Sequence, residues 1–295
     1  MPELPDITIY VEALERRLKD QAIEEVRLAS PFLLRSVEPS LDEAIGRKVD
    51  GVRRLGKRVL IGLEGDLWLV FHLMIAGRFN WKEPGAKLAG RHALAAFDFA
   101  HGSLTLTEFG PKKRASLHVV QGEDSLAEHD PGGLEVLDTD LETFEEALTR
   151  ENHTLKRTLT DPHLFSGIGN AYSDEILHRA RLSPKAMSTQ LDADEIQRLY
   201  DSTRSTLQDW LEKLRAEVGE DFPEAVKADR AGMAVHGRFN EPCPVCATPV
   251  QRIRRQDSES NYCPRCQTDG EILADRTTAQ LFKSNRPRTV EDLAS

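Results

Sequence analysis

Apolar residues at Ile7, Tyr10, Val11, Leu14 and Leu18 recur at the three- and four-residue spacing of a helix with one buried face. Asp6, just after Pro5, is the predicted N-cap. From about residue 23 to 120 the pattern shortens into β segments at 59–63, 67–73, 94–99, 103–107 and 116–120, divided by glycine and charged turns. That predicts an all-β sandwich or barrel behind one N-terminal helix. Asp130-Pro131-Gly132-Gly133 reads as a loop and a domain boundary. Helical spacing returns with Leu141, Phe144 and Leu148, and again in a long helix through Ile196, Leu199, Tyr200, Thr203, Leu207, Trp210, Leu211 and Leu214. A further helix is predicted over 171–181, a connecting loop over 221–229, and a loosely ordered polar tail after Ala279. Trp68, Trp81 and Trp210 are expected in cores. The fold class is α+β multidomain, with domains at 1–130, 131–232 and 233–268 and a tail at 269–295.

Composition is that of an ordinary globular chain, 39% hydrophobic and 30% charged over 295 residues, enough for two compact domains. No run of eighteen apolar residues exists, so no membrane span is expected, and the start MPELPDIT has neither the basic nor the apolar part of a signal peptide. The expected location is the cytoplasm. The formal net charge of −10 argues mildly against a nucleic-acid partner. Local patches decide binding, however, and basic residues cluster at 47–58, at Lys112, Lys113 and Arg114, and at Arg252, Arg254 and Arg255. Taken singly, each cluster reads equally well as a solvated face.

The four cysteines of the chain form two pairs, Cys243-Pro-Val-Cys246 and Cys263-Pro-Arg-Cys266, sixteen residues apart. That is the spacing of one structural Zn²⁺ site. Four thiolates leave no open position on the metal, so the module serves binding, and a catalyst must lie elsewhere. Ser166-Gly167-Ile168-Gly169-Asn170 leads into a predicted helix. Its glycines permit a tight turn, and the free N–H groups at a helix start suit phosphate. A plain helix-to-helix turn would need the same glycines. His72, His101, His118 and His153 have no metal-ligand spacing and read as structural or surface residues.

In this order the pieces resemble the formamidopyrimidine-DNA glycosylase/endonuclease VIII family. The likeness spans Pro2 to about Gln267 and rests on four motifs: Pro2-Glu3-Leu4-Pro5, Arg54-Leu55-Gly56-Lys57, Gly167 to Leu177, and the paired cysteines with Tyr262 and Gln267. The resemblance implies a β-sandwich domain with an N-terminal helix, a helix–two-turn–helix domain and a C-terminal β-hairpin zinc finger, in a monomer that holds damaged duplex DNA with one nucleotide flipped out. It implies base excision and strand nicking through a Schiff base. The nucleophile would be the secondary amine of Pro2 after removal of Met1, with Glu3 as acid/base and Lys57 as an accessory phosphate or proton group. Lys156 and Asn170 would hold backbone phosphates.

The chain also departs from the family pattern. His72-Leu73-Met74-Ile75 stands where the family has His-Leu-Gly-Met, which leaves Ile75 or Met74 as the wedge that fills the gap in the base stack. Gly110 to Ala115 aligns with the family's Asp-Pro-Arg-Arg-Phe-Gly, so Lys113 takes the place of the arginine facing the orphaned base and Arg114 that of the wedging phenylalanine. Ser258 occupies the position of the finger arginine that grips phosphate, with Arg252, Arg254 and Arg255 as neighbours on the same hairpin. His236-Gly237-Arg238 replaces a tyrosine-led tripeptide. These departures carry no 8-oxoguanine assignment. They support a competing reading, a damaged-DNA or abasic-site binder without turnover, which the retained Pro2, Glu3 and Lys57 oppose.

Overall fold

The structure, a computed structural model, describes residues 1–110, 112–224, 226, 230–254, 259–273 and 288–293. Helix α1 (Leu4–Leu18) opens the chain. Its N-cap is Glu3 and not the expected Asp6. The Glu3 backbone N–H donates to the Asp6 carboxylate at 2.8 Å, and the Glu3 carboxylate accepts the Asp6 backbone N–H in return. Pro5 does not delay the helix, because proline fits the first turn, where its missing N–H would have had no partner anyway.

Eight strands follow: β1 (Glu25–Leu28), β2 (Val49–Leu55), β3 (Arg58–Leu63), β4 (Leu67–His72), β5 (Gly77–Lys82), β6 (Ala93–Phe99), β7 (Gly102–Glu108) and β8 (Ser116–Gln121). They form two antiparallel sheets of order β2-β3-β4-β8 and β1-β6-β7-β5. Alternating residues of both sheets, among them Ile61, Leu69, Phe97 and Leu106, share one core with Ile7, Tyr10, Leu14 and Leu18 of α1. Phe71 of one sheet meets Phe79 and Phe97 of the other edge-on, with ring centroids 5.2 and 5.4 Å apart. The sandwich is therefore as expected, but β1, β2 and β5 have no counterpart in the apolar pattern. All three are edge strands, where one flank faces no partner and charged residues such as Arg27, Arg53 and Arg78 are tolerated. Trp68 and Trp81 are half-buried rather than core, and Trp68 lies beneath the Arg53 guanidinium at 4.2 Å.

Helices α2 (Leu141–Thr149), α3 (Leu155–Thr160), α4 (Asn170–Ala180) and α5 (Ala193–Val218) come next. Then come the hairpin strands β9 (Gln251–Arg254) and β10 (Glu259–Tyr262) and the one-turn helix α6 (Pro264–Gln267). The chain divides into two compact units, residues 1–131 with 210–228, and 132–209 with 229–295. In the first unit the end of α5 packs on α1 through Ile9, Leu211 and Leu214, and Arg215 forks onto Glu12 at 2.6 Å. In the second unit Phe144 packs against Phe165 and Tyr200, and the Tyr200 hydroxyl donates to the Thr139 carbonyl at 2.8 Å.

Candidate active site and nucleic-acid-binding elements

The expected catalytic residues meet in the first unit. Pro2 is buried, and Glu3 is only 2% exposed at the head of α1, its carboxylate oriented by the capping box. Lys57 stands in the two-residue turn between β2 and β3, whose register pairs Leu55 with Arg58. Gly56 takes the positive φ of 56° that such a hairpin turn demands. Burial pulls the Lys57 ammonium below its ordinary pKa, and the charge of Glu3 pulls the other way, which places the two groups within electrostatic reach. The chain-terminal amine at Met1 is depressed below 8.0, first by burial, against the opposing charge of Glu3, with Arg78 and Lys57 adding to the depression. His72, paired with Arg58 across β3 and β4, is pushed down to about 4 by burial and then by Arg58 and Lys57, so it is neutral at physiological pH. Arg78 joins this cluster without any sequence signal beyond one basic position in an edge strand. It also donates to the carbonyls of Ile75 and Gly77 at 3.2 and 2.6 Å.

Two loops of the same unit hold the residues expected at the base stack. Ile75 is 58% exposed in the connection from β4 to β5, and Met74 before it has a left-handed φ of 53°. That is where the family pattern has glycine. The loop after β7 lies alongside, with the Phe109 N–H donating to the Ala76 carbonyl at 3.3 Å. Arg114 is exposed, while its backbone N–H is held by the buried Glu108 carboxylate at 2.9 and 3.0 Å. The Lys113 ammonium donates to the Glu108 carbonyl, so this lysine is drawn onto its own loop.

The remaining expected contacts lie in the second unit. Asn170 is the first residue of α4, after Gly169 as N-cap. The Lys156 ammonium donates to the Asn170 carbonyl at 2.6 Å and to the Asp174 carboxylate at 2.5 Å. It is a buried structural cation here rather than one extended toward solvent. Asp174 also receives His236 Nδ1 at 2.8 Å and Asn261 Nδ2 at 3.4 Å. Glu175 accepts the backbone N–H groups of Ala234, Val235 and His236 at 2.7 to 2.9 Å. Two adjacent buried acids thus fasten α4 to the 233–238 segment and to β10. The sequence placed Asp174 and Glu175 only within the Gly167–Leu177 motif, and spacing along the chain does not encode these contacts with distant segments. On the hairpin, Arg252 stacks on Phe239 at 3.9 Å and lies 3.4 Å from Glu259, and Arg254 is 64% exposed, 3.7 Å from the same glutamate. Arg255 and Ser258 lie outside the described residues.

The four cysteines converge, with all Sγ atoms within 4.8 Å of one another. Adjacent sulfurs are 3.4, 3.5 and 3.9 Å apart, against about 3.8 Å for the edge of a tetrahedron with Zn–S bonds of about 2.3 Å. The set fits one structural zinc held by Cys243, Cys246, Cys263 and Cys266. Around it, His178 Nε2 lies 3.3 Å from Cys243 Sγ, and the Val245 N–H donates to the same sulfur at 3.5 Å. Burial and then Arg181 push His178 down to about 4, which leaves it a neutral imidazole.

Three family models match the chain. They are the formamidopyrimidine-DNA glycosylase N-terminal domain over residues 1–115, the formamidopyrimidine-DNA glycosylase H2TH domain over 133–219, and the zinc finger found in FPG and IleRS over 240–268. A formamidopyrimidine-DNA glycosylase of Heliobacterium modesticaldum is 33% identical over 281 residues, covering 90% of this chain and 100% of that one. A second, from Pelotomaculum thermopropionicum, is 32% identical over 278 residues, covering 90% and 99%. A crystal structure of a Lactococcus lactis mutant of this enzyme with Fapy-dG-containing DNA superposes with a TM-score of 0.80 at 25% identity, covering 90% of this chain and 100% of that one. The Lactococcus lactis enzyme bound non-covalently to DNA with an AP site gives 0.77 at 25% identity, covering 90% and 99%. No helix among the described residues is long and apolar enough to cross a membrane. With all three signature modules in order, and a relative above 30% identity along its whole length, this chain belongs to the formamidopyrimidine-DNA glycosylase family.

Proposed function

We propose that this chain is a bifunctional DNA glycosylase and abasic-site lyase of base-excision repair, working on damaged duplex DNA. The observation that carries the reading is the buried Pro2–Glu3 terminus, where burial, Arg78 and Lys57 favour the uncharged form of the chain-end amine. Removal of Met1 makes the Pro2 nitrogen the new chain end, a secondary amine set beside the same Glu3, Arg78 and Lys57. Its lone pair attacks C1′ of the flipped nucleotide, a C–N bond forms, and the N-glycosidic bond breaks with its electrons leaving on the base. Glu3 takes the proton released from the Pro2 nitrogen and delivers it to the sugar ring oxygen as the ring opens, which gives an iminium between Pro2 and C1′. The iminium acidifies the C2′ hydrogen, and its loss expels the 3′ phosphate by β-elimination. Lys57 supplies charge to a flanking phosphate or a proton to a leaving oxygen.

Asn170 at the start of α4 and the exposed Arg254 and Arg114 are the groups offered to DNA phosphates, while Lys156 acts as a positioning residue through Asp174. Ile75 is offered to the base stack. The relatives' names and their complexes with Fapy-dG and AP-site DNA support the substrate class. Borohydride reduction during incubation with abasic-site DNA should trap a covalent complex through Pro2. Pro2→Gly, which turns the secondary amine into a primary one, should reduce trapping sharply. If processed protein gives no trapped species yet retards abasic duplex in a gel, the chain is a binder without turnover.

A further inference from the structure

Phe109 sits in a place the family pattern does not assign. The family's wedging phenylalanine aligns with Arg114, yet a phenylalanine ring 66% exposed stands five residues earlier, at the end of β7. Lone exposed apolar residues are common on proteins. This one differs in three ways. First, its ring is oriented without being buried. It stacks on His92 with centroids 4.6 Å apart and planes 26° apart, and His92 is itself fixed, its Nδ1 lying 3.1 Å from the Glu108 carbonyl. Second, its backbone is tied to the loop that carries Ile75, through the Phe109 N–H to Ala76 carbonyl bond. Two exposed apolar side chains, Ile75 and Phe109, therefore stand on hydrogen-bonded neighbouring loops. Third, the exposed cations Lys112 and Arg114 follow on the same loop, anchored from below by the buried Glu108 carboxylate.

An oriented aromatic beside an aliphatic tip, bordered by cations, is the composition of a side-chain wedge. Apolar residues enter between base steps while basic ones meet the phosphates on either side. We infer that Phe109, braced by His92 and paired with Ile75, is the duplex wedge of this chain, doing from the end of β7 what Arg114 cannot do from the aligned position. Guanidinium at 114 is then released to contact phosphate. The occupant is the stacked duplex around a damaged or abasic nucleotide. This inference rests on the glycosylase reading above and adds a residue to it.

The test separates the two. A duplex with a tetrahydrofuran site, which the lyase chemistry cannot cleave, and 2-aminopurine beside it reports unstacking by a rise in fluorescence on binding. Wild-type protein should give that rise. Phe109→Ala should lose most of it and slow cleavage of an abasic duplex by about ten-fold or more, the worth of one stacked base, whereas Phe109→Trp should keep both. On a single-stranded abasic oligonucleotide, where nothing has to be wedged open, Phe109→Ala should cleave within about two-fold of wild type. The wedge is overturned if Phe109→Ala gives the full fluorescence rise, or if its single-strand cleavage falls in step with its duplex cleavage. Loss of borohydride trapping by the wild-type protein would instead strike the proposed chemistry and leave the fluorescence result standing.

Discussion

Glu3 answers two demands from one position. Its backbone N–H and carboxylate close the capping box with Asp6, and the same carboxylate lies within electrostatic reach of Lys57 and the chain-end amine. The roles can be separated, because an amide oxygen accepts a hydrogen bond as a carboxylate does but cannot deliver a proton. Glu3→Gln should therefore melt close to wild type while losing about 10²- to 10⁴-fold in single-turnover base excision. Glu3→Ala should add about 1 kcal/mol of lost capping. Activity within ten-fold of wild type in the glutamine variant would remove Glu3 from the chemistry. The amine has its own signature. Only its unprotonated form is a nucleophile, so the rate rises as pH climbs through its pKa and levels off above. Placed in the surroundings that depress the Met1 amine, first by burial, the Pro2 amine should give a single-turnover lyase profile whose acid limb lies at lower pH than that of an exposed terminal amine. Arg78→Gln removes one of the cations in those surroundings, so the limb should move to higher pH. A limb that stays in place would show that Arg78 does not act on the amine.

At the scale of elements, the β4–β5 connection and its surroundings show which parts of the fold were legible from sequence and which were not. Periodicity marks the strands that bury both faces or one whole face, such as β3 and β6, because there the apolar residues are numerous. It passes over β1, β2 and β5, whose free edges permit polar residues, and it misplaces the α1 cap because the box reaches across Pro5. The zinc ligands lie in short local motifs and were readable, and the Pro2–Glu3 terminus proposed for catalysis is a motif of the same local kind. The Asp174 network and the Phe109–Ile75 pairing depend on contacts between distant segments, which spacing cannot encode. The connection itself makes a prediction. Met74 holds a left-handed φ of 53°, a conformation that disfavours a Cβ by roughly 1–2 kcal/mol, while glycine loses more freedom on folding. Met74→Gly should thus be neutral or stabilising by up to about 1 kcal/mol. Gly77→Ala, in contrast, would set a Cβ 2.3 Å from the Leu73 carbonyl oxygen and should destabilise by about 2 kcal/mol or more. Thermal melting of the two variants gives the comparison, and equal behaviour would contradict the strain assigned to Met74.

Across the whole molecule, the two units are stabilised by different means. The first has a continuous apolar core running from α1 through both sheets. Among the described residues, the buried cluster of the finger in the second is small, Val235, Cys243, Val250 and Cys263, far too little for a segment of its size without a metal. Zinc closes that cluster, and hydrogen bonds then relay its order outward. Gln267 donates to the Leu182 carbonyl at 2.9 Å while accepting from the Cys263 N–H at 2.8 Å, Asn261 meets Asp174, and His178 meets Cys243. Removing the metal should therefore unseat β9, β10 and α6 and leave Asp174, buried and charged, short of one donor. A strong chelator is expected to split thermal unfolding, lowering the transition of the second unit and leaving that of the first near its original midpoint, with restoration on adding back zinc. Acid should mimic the chelator, since protons compete with the metal for thiolate. Calorimetry paired with metal analysis decides the matter. A protein stripped of zinc whose unfolding trace is unchanged would mean that the finger is not what holds β10 to α4, and that the buried acids of α4 suffice without it.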